Sequence, residues 1–214
     1  MRFDLVIFDM DGTLTVDVLD FDTLRAQLGL AKRQPVLEWI AALPEPTRSE
    51  KWRILHHHES QAAESVPLRP GVGDMLASLK SQGVTTALLS RNSRQSVETV
   101  MSRHQLSFDV VVSRDEPPIK PDPQSILQIM RYCSAAAART LMVGDYIFDL
   151  DAARGAGVAS ALLVEPHAHL PPFAVHASYI IRNMGDVPML LRDPERFVCR
   201  TGLGGAAMHS VVKG

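Results

Sequence analysis

The chain has 214 residues, of which 46% are hydrophobic and 21% are charged. This composition excludes a disordered or collagen-like chain and is ordinary for a globular protein with a sizeable core. The 22 lysines and arginines are balanced by 24 acidic residues, for a formal net charge of −2. So small a charge argues against a protein that binds nucleic acid or a membrane surface, because both kinds of partner attract a basic face.

The expected cellular compartment follows from the cysteine content and from the lack of a targeting or membrane segment. Two cysteines, Cys133 and Cys199, provide no disulfide framework, which suits a reducing compartment. No stretch reaches the ~18 uninterrupted apolar residues that a membrane helix needs. Carboxylates at Asp4, Asp9 and Asp11 are foreign to a signal peptide. We therefore expect a cytoplasmic protein without a membrane segment.

Short apolar runs alternate with amphipathic stretches along most of the chain. The apolar runs predict buried strands at 5–8, 84–89, 110–112, 141–143 and 161–164. The amphipathic stretches predict helices at 72–81, 93–105, 123–132 and 148–156. Strands separated by helices in this way are typical of right-handed βαβ crossovers. The predicted fold is α/β, a doubly wound parallel sheet that binds ligands beyond the carboxyl ends of its strands.

One interval breaks this alternation. Residues 15–67 show no strand pattern and predict helices at 21–28, 35–43 and 47–65. About 53 residues would be marginal as an independent domain. We interpret this interval as a small helical cap inserted after the first strand. The core then comprises residues 1–14 and 68–192, and residues 193–214 form a C-terminal tail.

Two carboxylates follow the first predicted strand directly. Side chains alternate along an extended segment, so Asp9 and Asp11 point to the same side. Paired carboxylates repel each other unless a cation intervenes, and hard oxygen ligands suit Mg²⁺. A polar turn at the end of the strand is the alternative, although turn chemistry rarely needs both carboxylates on one side.

A second acidic pair follows the strand predicted at 141–143. Gly144 permits a close approach of the backbone, and Asp145 and Asp149 are four residues apart. They share a face if a helix begins after Asp145. The alternatives are a strand-end cap for Asp145 and, for Asp149, a first-turn residue favoured by the helix dipole.

Two further sets of residues suit an anion. Ser90, Arg91 and Asn92 lie between a predicted strand and the helix after it, where a hydroxyl and free N–H groups form an anion site or, alternatively, ordinary helix caps. Arg91 either clamps a second anionic group of the substrate or is a solvated arginine in the first helical turn. Lys120 lies on a proline-rich loop before a helix. A rigidly held ammonium there neutralises an anion at low entropic cost; an ordinary surface lysine is the alternative.

These four sets of residues follow four different predicted strands, whose carboxyl ends converge on one crevice. Carboxylates for a metal, a hydroxyl and amides for an anion, and a lysine for charge together describe phosphoryl transfer. With these motifs in this order from Asp9 to Asp149, the chain resembles the haloacid dehalogenase-like hydrolase superfamily. Within it, the chain is most similar to the phosphoglycolate-phosphatase-like members of subfamily I, which carry a helical cap.

The resemblance implies a role for each matched residue. Asp9 matches the nucleophile that becomes an aspartyl-phosphate, and Asp11 matches the general acid/base. Ser90 and Lys120 match the hydroxyl and the lysine that orient the phosphate. The implied Mg²⁺ ligands are Asp9, the main-chain carbonyl of Asp11, Asp145 and Asp149. The implied enzyme is a Mg²⁺-dependent phosphatase that cleaves a small phosphorylated metabolite.

Other functions stay open. A phosphomutase of the same superfamily would return phosphate to a substrate faster than to water. A phosphate-binding or regulatory module without catalysis would have no need of the acid/base Asp11. A phosphoprotein phosphatase is disfavoured, since the sequence shows no protein-docking surface. Dehalogenation is disfavoured because the members that dehalogenate lack an aspartate at the position of Asp11.

A run of three histidines, 56–58, falls within the helix predicted at 47–65. Consecutive helical residues point about 100° apart, so the three cannot all face one metal. We expect one histidine to pack against the cap and the others to be solvated. The alternative is that one of them, together with Arg53, faces the substrate.

Overall fold

The computed structural model of the protein describes residues 2–17, 20–31 and 34–199. Its centre is a six-stranded sheet in which every neighbouring pair of strands is parallel, in the order β3-β2-β1-β4-β5-β6. The strands are β1 Leu5–Phe8, β2 Thr85–Leu89, β3 Val110–Val112, β4 Thr140–Gly144, β5 Ala159–Leu163 and β6 Tyr179–Ile181. The predicted α/β class with a doubly wound parallel sheet is confirmed.

Eight α-helices accompany the sheet within the described ranges. Three follow β1: α1 Phe21–Leu28, α2 Val36–Ala41 and α3 Thr47–Ser65. The others are α4 Val72–Ser81, α5 Arg94–His104, α6 Gln124–Tyr132, α7 Ile147–Ala156 and α8 Asp186–Arg192. None of these described helices combines the length and the apolar character needed to cross a membrane.

Helices cover both faces of the sheet. Strand β1 is buried throughout, and its side chains divide between two cores by simple alternation. Val6 and Phe8 pack in one core with residues of α4, α5 and α8. Leu5 and Ile7 pack in the other core with residues of α6 and α7. Burial on both faces explains why β1 is a continuous apolar run in the sequence.

The order of the strands places the ligand-binding edge. Strand β1 pairs with β2 on one side and with β4 on the other, so the chain reverses its direction of winding at β1. The carboxyl ends of β1, β2 and β4 are therefore adjacent, and the segments that follow them share one crevice. Asp9, Ser90 and Asp145 begin those segments.

The three helices after β1 form a unit with a small core of its own. Leu24, Ile40 and Leu55 contribute to this core, and Ile119 of the core domain packs against it. The end of α3 is fixed to α5, because the Arg103 guanidinium donates to the carbonyls at the end of α3. We refer to residues 15–67 as the helical insert; its division from the core as a cap domain stays a prediction.

Most predicted elements are found with boundaries shifted by one or two residues, but two elements were missed. Strand β6 has three residues, too few for a clear pattern. Helix α8 contains Pro188, and a proline in the sequence predicts the end of a helix. In the first helical turn, however, the missing N–H of proline has no intrahelical acceptor to lose.

The beginning of the predicted C-terminal tail has defined structure. A 3₁₀ turn spans Pro194–Phe197, and Val198 forms an antiparallel bridge with Tyr179 of β6. Phe197 packs against the core beside α4, α5 and α8. These contacts join residues 194–198 to the core, and the extent of the tail stays a prediction; residues 200–214 lie outside the described part of the chain.

Candidate active site

Lys120 joins the two acidic motifs. Its ammonium lies 2.5 Å from Oδ1 of Asp9 and 2.7 Å from Oδ1 of Asp149. The lysine side chain is 2% exposed, so these charge-assisted hydrogen bonds replace the water that it loses. A surface lysine, the alternative considered from the sequence, is thereby excluded.

The carboxylates of Asp145 and Asp149 are held by short-range contacts. Thr13 donates its hydroxyl to Oδ1 of Asp145 at 2.9 Å. Oδ2 of Asp149 accepts the backbone N–H of Tyr146 at the start of α7, so Asp149 both caps this helix and faces Lys120. The two roles that the sequence left open for Asp149, a residue of the first helical turn and a member of the acidic pair, are therefore compatible.

Two glycines allow these carboxylates to approach the backbone. A Cβ atom at Gly12 would lie 2.3 Å from Oδ2 of Asp145, and Gly12 also has a positive φ of +75°. A Cβ atom at Gly144 would lie 2.2 Å from Cγ of Asp149. Real Cβ atoms do not come so close, so both positions require glycine for steric reasons.

Oxygen atoms of Asp9, Asp145 and Asp149 all lie within 4.8 Å of one another. Three carboxylates at this spacing are donors of the kind that Mg²⁺ prefers, and they carry more negative charge than Lys120 alone neutralises. The described residues therefore fit the predicted cation. The side chain of Asp11 is not part of this cluster, and the role of its main-chain carbonyl as a ligand stays a prediction.

Burial and, after it, the crowding of like charges make these carboxylates hard to ionise in the protein without metal. Burial raises the pKa of Asp9 to about 6; Lys120 opposes this shift and Asp149 adds to it. Burial and the charges of Asp9 and Asp149 raise the pKa of Asp145 to about 7. Burial lowers the pKa of the Lys120 ammonium, but Asp149 and Asp9 outweigh it and hold that pKa above its usual value.

Asp11 lies beside the cluster and contacts a different partner. Asn92 donates its side-chain amide to Oδ2 of Asp11 at 2.8 Å. Burial within the site, with the nearby charges of Asp9 and Glu59, raises the pKa of Asp11 to about 8, although the residue as a whole is exposed. A protonated carboxyl at neutral pH is the form that a general acid needs.

The segment after β2 differs in detail from the predicted anion site. Ser90 is 1% exposed, its Oγ accepts the backbone N–H of Asn92, and it does not line the cavity that lies above the acidic cluster. Asn92 lines that cavity. Helix α5 begins only at Arg94, and Ser93 provides its N-cap. The predicted contacts of Ser90 and Asn92 with phosphate stay predictions.

Arg91 was expected to be either a substrate clamp or a solvated first-turn arginine. It precedes α5, and its guanidinium donates to both carboxylate oxygens of Glu38 in α2 at 2.8 and 3.1 Å. It also donates to the carbonyl of Lys120 and stacks over the ring of Phe148, 4.4 Å from the centroid. The solvated first-turn reading is therefore wrong, and Arg91 joins the helical insert to the core.

A cavity of about 920 Å³ lies above this cluster. Its polar end is formed by Asp9, Asp11, Lys120, Asp145 and Asp149. The helical insert contributes apolar side chains to the remainder, including those of Val36, Leu37 and Leu55. This volume is far greater than a phosphate group fills, so it has room for the body of a substrate.

Sequence reasoning missed two arginines that support the site. Arg114, after β3, forms a bidentate ion pair with Glu59 of α3 at 2.5 and 2.9 Å, and both side chains are buried. Arg69 donates its Nε to the carbonyl of Gly12 at 2.7 Å. Neither arginine lies in a motif, and their partners are 55 and 57 residues distant in sequence, so no local pattern could have found them.

The histidine run does not face the cavity. His56 and His57 are exposed, and His58 is half-buried with its Nε2 2.8 Å from Oε1 of Gln27. The residues of α3 that line the large cavity include Leu55 and Glu59 but neither the histidines nor Arg53. Packing and solvation, as expected, account for these side chains.

Residues 15–163 match the family model of the haloacid dehalogenase-like hydrolases. The chain belongs to this family. An uncharacterized hydrolase of Saccharomyces cerevisiae is 32% identical over 165 residues, covering 74% of this chain and 76% of that protein. Phosphoglycolate phosphatase 1 of Pseudomonas aeruginosa is 31% identical over 211 residues, covering 86% of this chain and 78% of that protein.

The fold of this haloacid dehalogenase-like hydrolase is also found among solved structures. A hydrolase from Pseudomonas syringae superposes with a TM-score of 0.73 at 17% identity, covering 93% of this chain and all of that one. At that identity the likeness concerns the fold alone. The family identified from the motifs, its phosphoglycolate-phosphatase-like character and the prediction of a hydrolytic enzyme are confirmed.

Proposed function

We propose that this hydrolase is a Mg²⁺-dependent phosphatase that cleaves a small phosphate monoester through an aspartyl-phosphate on Asp9. The observation that carries the proposal is that Asp9 contacts the Lys120 ammonium and lies within 4.8 Å of the carboxylates of Asp145 and Asp149. Asp11, two residues further on, is separately hydrogen-bonded to Asn92. Asp9 thus pairs with the Lys120 ammonium inside the acidic cluster, whereas Asp11 accepts a hydrogen bond from a neutral amide outside it and is assigned the proton transfer.

The first step in this proposal is attack by a carboxylate oxygen of Asp9 on phosphorus. The bond to the ester oxygen breaks, and Asp11 donates a proton to the departing alcohol. A carboxylate nucleophile needs no deprotonation at neutral pH, and the covalent intermediate divides one difficult displacement into two easier ones. Lys120 offsets the repulsion between Asp9 and the incoming phosphate.

In the second step, ionised Asp11 accepts a proton from a water molecule that attacks the aspartyl-phosphate. Cleavage releases inorganic phosphate, regenerates the Asp9 carboxylate and returns the proton to Asp11. Asp9, Asp145 and Asp149 are the side chains that would hold Mg²⁺. When bound, the cation neutralises charge on the carboxylates and on the transferring phosphoryl group.

We assign the helical insert the role of a cap that encloses the substrate. It supplies much of the apolar wall of the cavity, and two ion pairs, Arg91–Glu38 and Arg114–Glu59, join it to the core. Enclosure strengthens the electrostatic interactions at the phosphorus and limits the access of water.

Phosphate release from p-nitrophenyl phosphate and from a panel of phosphorylated metabolites tests the proposal. Release should require Mg²⁺, stop with EDTA and fall by about a thousandfold or more in Asp9→Asn. Asp74→Asn, at an exposed position of α4, is the matched control. Wild-type turnover in Asp9→Asn would refute the nucleophile. Transfer of phosphate between sugar phosphates faster than to water would favour the phosphomutase instead.

A further inference from the structure

Arg25 of α1 lines the large cavity and carries an unsatisfied donor. Its Nε is buried and has no hydrogen-bond partner among the described residues. Its guanidinium lies over the ring of Phe21, 5.4 Å from the centroid, and none of the described residues accepts a hydrogen bond from it. Buried polar groups are nearly always hydrogen-bonded, so an exception on a cavity wall points to a partner that enters the cavity.

The other cationic groups described on this cavity wall are already engaged. Lys120 is bonded to Asp9 and Asp149, and Arg91 to Glu38. Asp17 and Asp22 line the same cavity, but neither forms an ion pair with Arg25 in the described structure. Among the described residues that line the cavity, Arg25 is therefore the cationic side chain whose N–H donors have no acceptor.

The surroundings of Arg25 differ from those of the acidic cluster. Helix α1 packs against α3 within the helical insert, whereas the carboxylates follow the strands of the sheet. Apolar side chains such as Leu37 and Leu55 share the cavity with both. A substrate that reaches from Asp9 to Arg25 would have its phosphate at the cluster and an anionic group beside the insert.

We propose that Arg25 is a specificity-determining residue that binds a second anionic group, a carboxylate or a phosphate, on the substrate. The inference rests on the proposed phosphatase function and adds the class of substrate, a phosphate monoester with a second anion. A guanidinium recognises either oxyanion through paired N–H donors. A substrate without this group binds only through its phosphate and its apolar contacts.

Matched alkyl phosphates of two to eight carbons test the proposal by competition against p-nitrophenyl phosphate. Each length is made with a methyl, a carboxylate or a phosphate at the far end. In the wild-type protein with Mg²⁺, at least one anionic series should inhibit about tenfold or more better than the methyl series of equal length. Whether the carboxylate or the phosphate series does so identifies the second anion.

Three substitutions distinguish a specific role of Arg25 from a general effect of charge. Arg25→Gln should abolish the preference for the anionic end while leaving kcat/KM for p-nitrophenyl phosphate within about threefold of wild type. Arg25→Lys keeps the positive charge but loses the paired N–H donors of the guanidinium, so it should retain a reduced preference for the anionic end. Arg53→Gln removes an exposed charge of α3 that does not line this cavity, and should change nothing.

The outcomes separate a failure of the role proposed for Arg25 from a failure of the proposed phosphatase activity. No preference at any chain length in the wild type, or an unchanged preference in Arg25→Gln, would overturn the role of Arg25 while turnover of p-nitrophenyl phosphate stands. An equal loss of preference in Arg53→Gln would reduce the effect to net charge and overturn it as well. Absence of metal-dependent turnover in the wild type would instead overturn the phosphatase proposal.

Discussion

Arg114 and Glu59 form a bidentate ion pair in which both side chains are less than a tenth exposed, and it joins the loop after β3 to helix α3. The same guanidinium donates to the carbonyl of Arg91 and lies over the ring of Trp52. One buried contact thus fixes the position of the insert relative to the segment that follows β2.

Glu59→Gln should destabilise the protein by about 3–5 kcal/mol, because it leaves the Arg114 charge buried without a counter-charge. The free energy of unfolding from urea titration measures the effect. Glu64→Gln, at an exposed position of the same helix, should change it by less than about 0.5 kcal/mol. The double variant Glu59→Gln, Arg114→Met should be less destabilised than Glu59→Gln alone; an equal or greater loss would show that an unpaired Arg114 charge is not the cause.

Gly12→Ala should damage both the fold and the site. Its Cβ would overlap Oδ2 of Asp145, and alanine is strained at a φ of +75°. Gly29→Ala is the matched control, with a φ of +74° and no atom within 4 Å of the new Cβ. We expect a loss of about 1–2 kcal/mol from strain in Gly29→Ala without an effect on turnover.

Gly12→Ala should show the same backbone strain and, in addition, a displaced Asp145. This displacement should lower kcat by about 100-fold. Thermal unfolding and phosphate release together separate the two contributions. Equal stability losses and equal kcat values in the two glycine variants would contradict the steric role of Gly12.

The metal-free protein should lose stability as the pH rises toward 8. Asp145 has an ordinary pKa of 3.8 in the unfolded chain, and burial with the charges of Asp9 and Asp149 raises it to about 7 in the fold. Between these values the folded state binds more protons than the unfolded state, so the free energy of unfolding falls with increasing pH.

Asp145→Asn removes this penalty and should stabilise the protein in EDTA by about 1–3 kcal/mol at pH 8, with little difference near pH 4. Urea unfolding at pH 4, 6 and 8 measures the trend. Asp74→Asn, on the exposed side of α4, provides the baseline. A destabilised Asp145→Asn protein at pH 8 would show that the carboxylate is held favourably even without a cation.

Lys120→Met should abolish turnover and destabilise the protein most strongly at alkaline pH. Without the ammonium, Asp9 and Asp149 face each other in a buried site, and the pKa of Asp9 rises further above its value of about 6. Stability is then lost as the pH rises through that range, by about 3–5 kcal/mol at pH 8.

Urea unfolding of Lys120→Met at pH 5 and pH 8 in EDTA checks this dependence. Lys80→Met, at an exposed position in the last turn of α4, is the control and should show no pH-dependent difference from wild type. An equal loss at both pH values would mean that Lys120 contributes through packing rather than through its charge.

Local chemistry in the sequence was enough to predict the frame of this protein. The apolar run 5–8, followed at once by Asp9 and Asp11, predicts a strand that is buried on both faces and carries carboxylates at its end. The parallel sheet followed from the spacing of strands and helices, and the convergence of Asp9, Lys120 and Asp145 followed from the topology of such a sheet.

Contacts between distant segments were decided only by the tertiary structure. The sequence suggested a clamp, which stays a prediction, or a solvated residue for Arg91; the packing of α2 brings Glu38 to it and excludes the solvated residue. The unpaired Nε of Arg25 and the buried pair of Arg114 with Glu59 likewise depend on how the insert folds over the sheet. Hydrogen bonding and burial are properties of the neighbours that folding supplies, so no periodicity or motif in one segment encodes them.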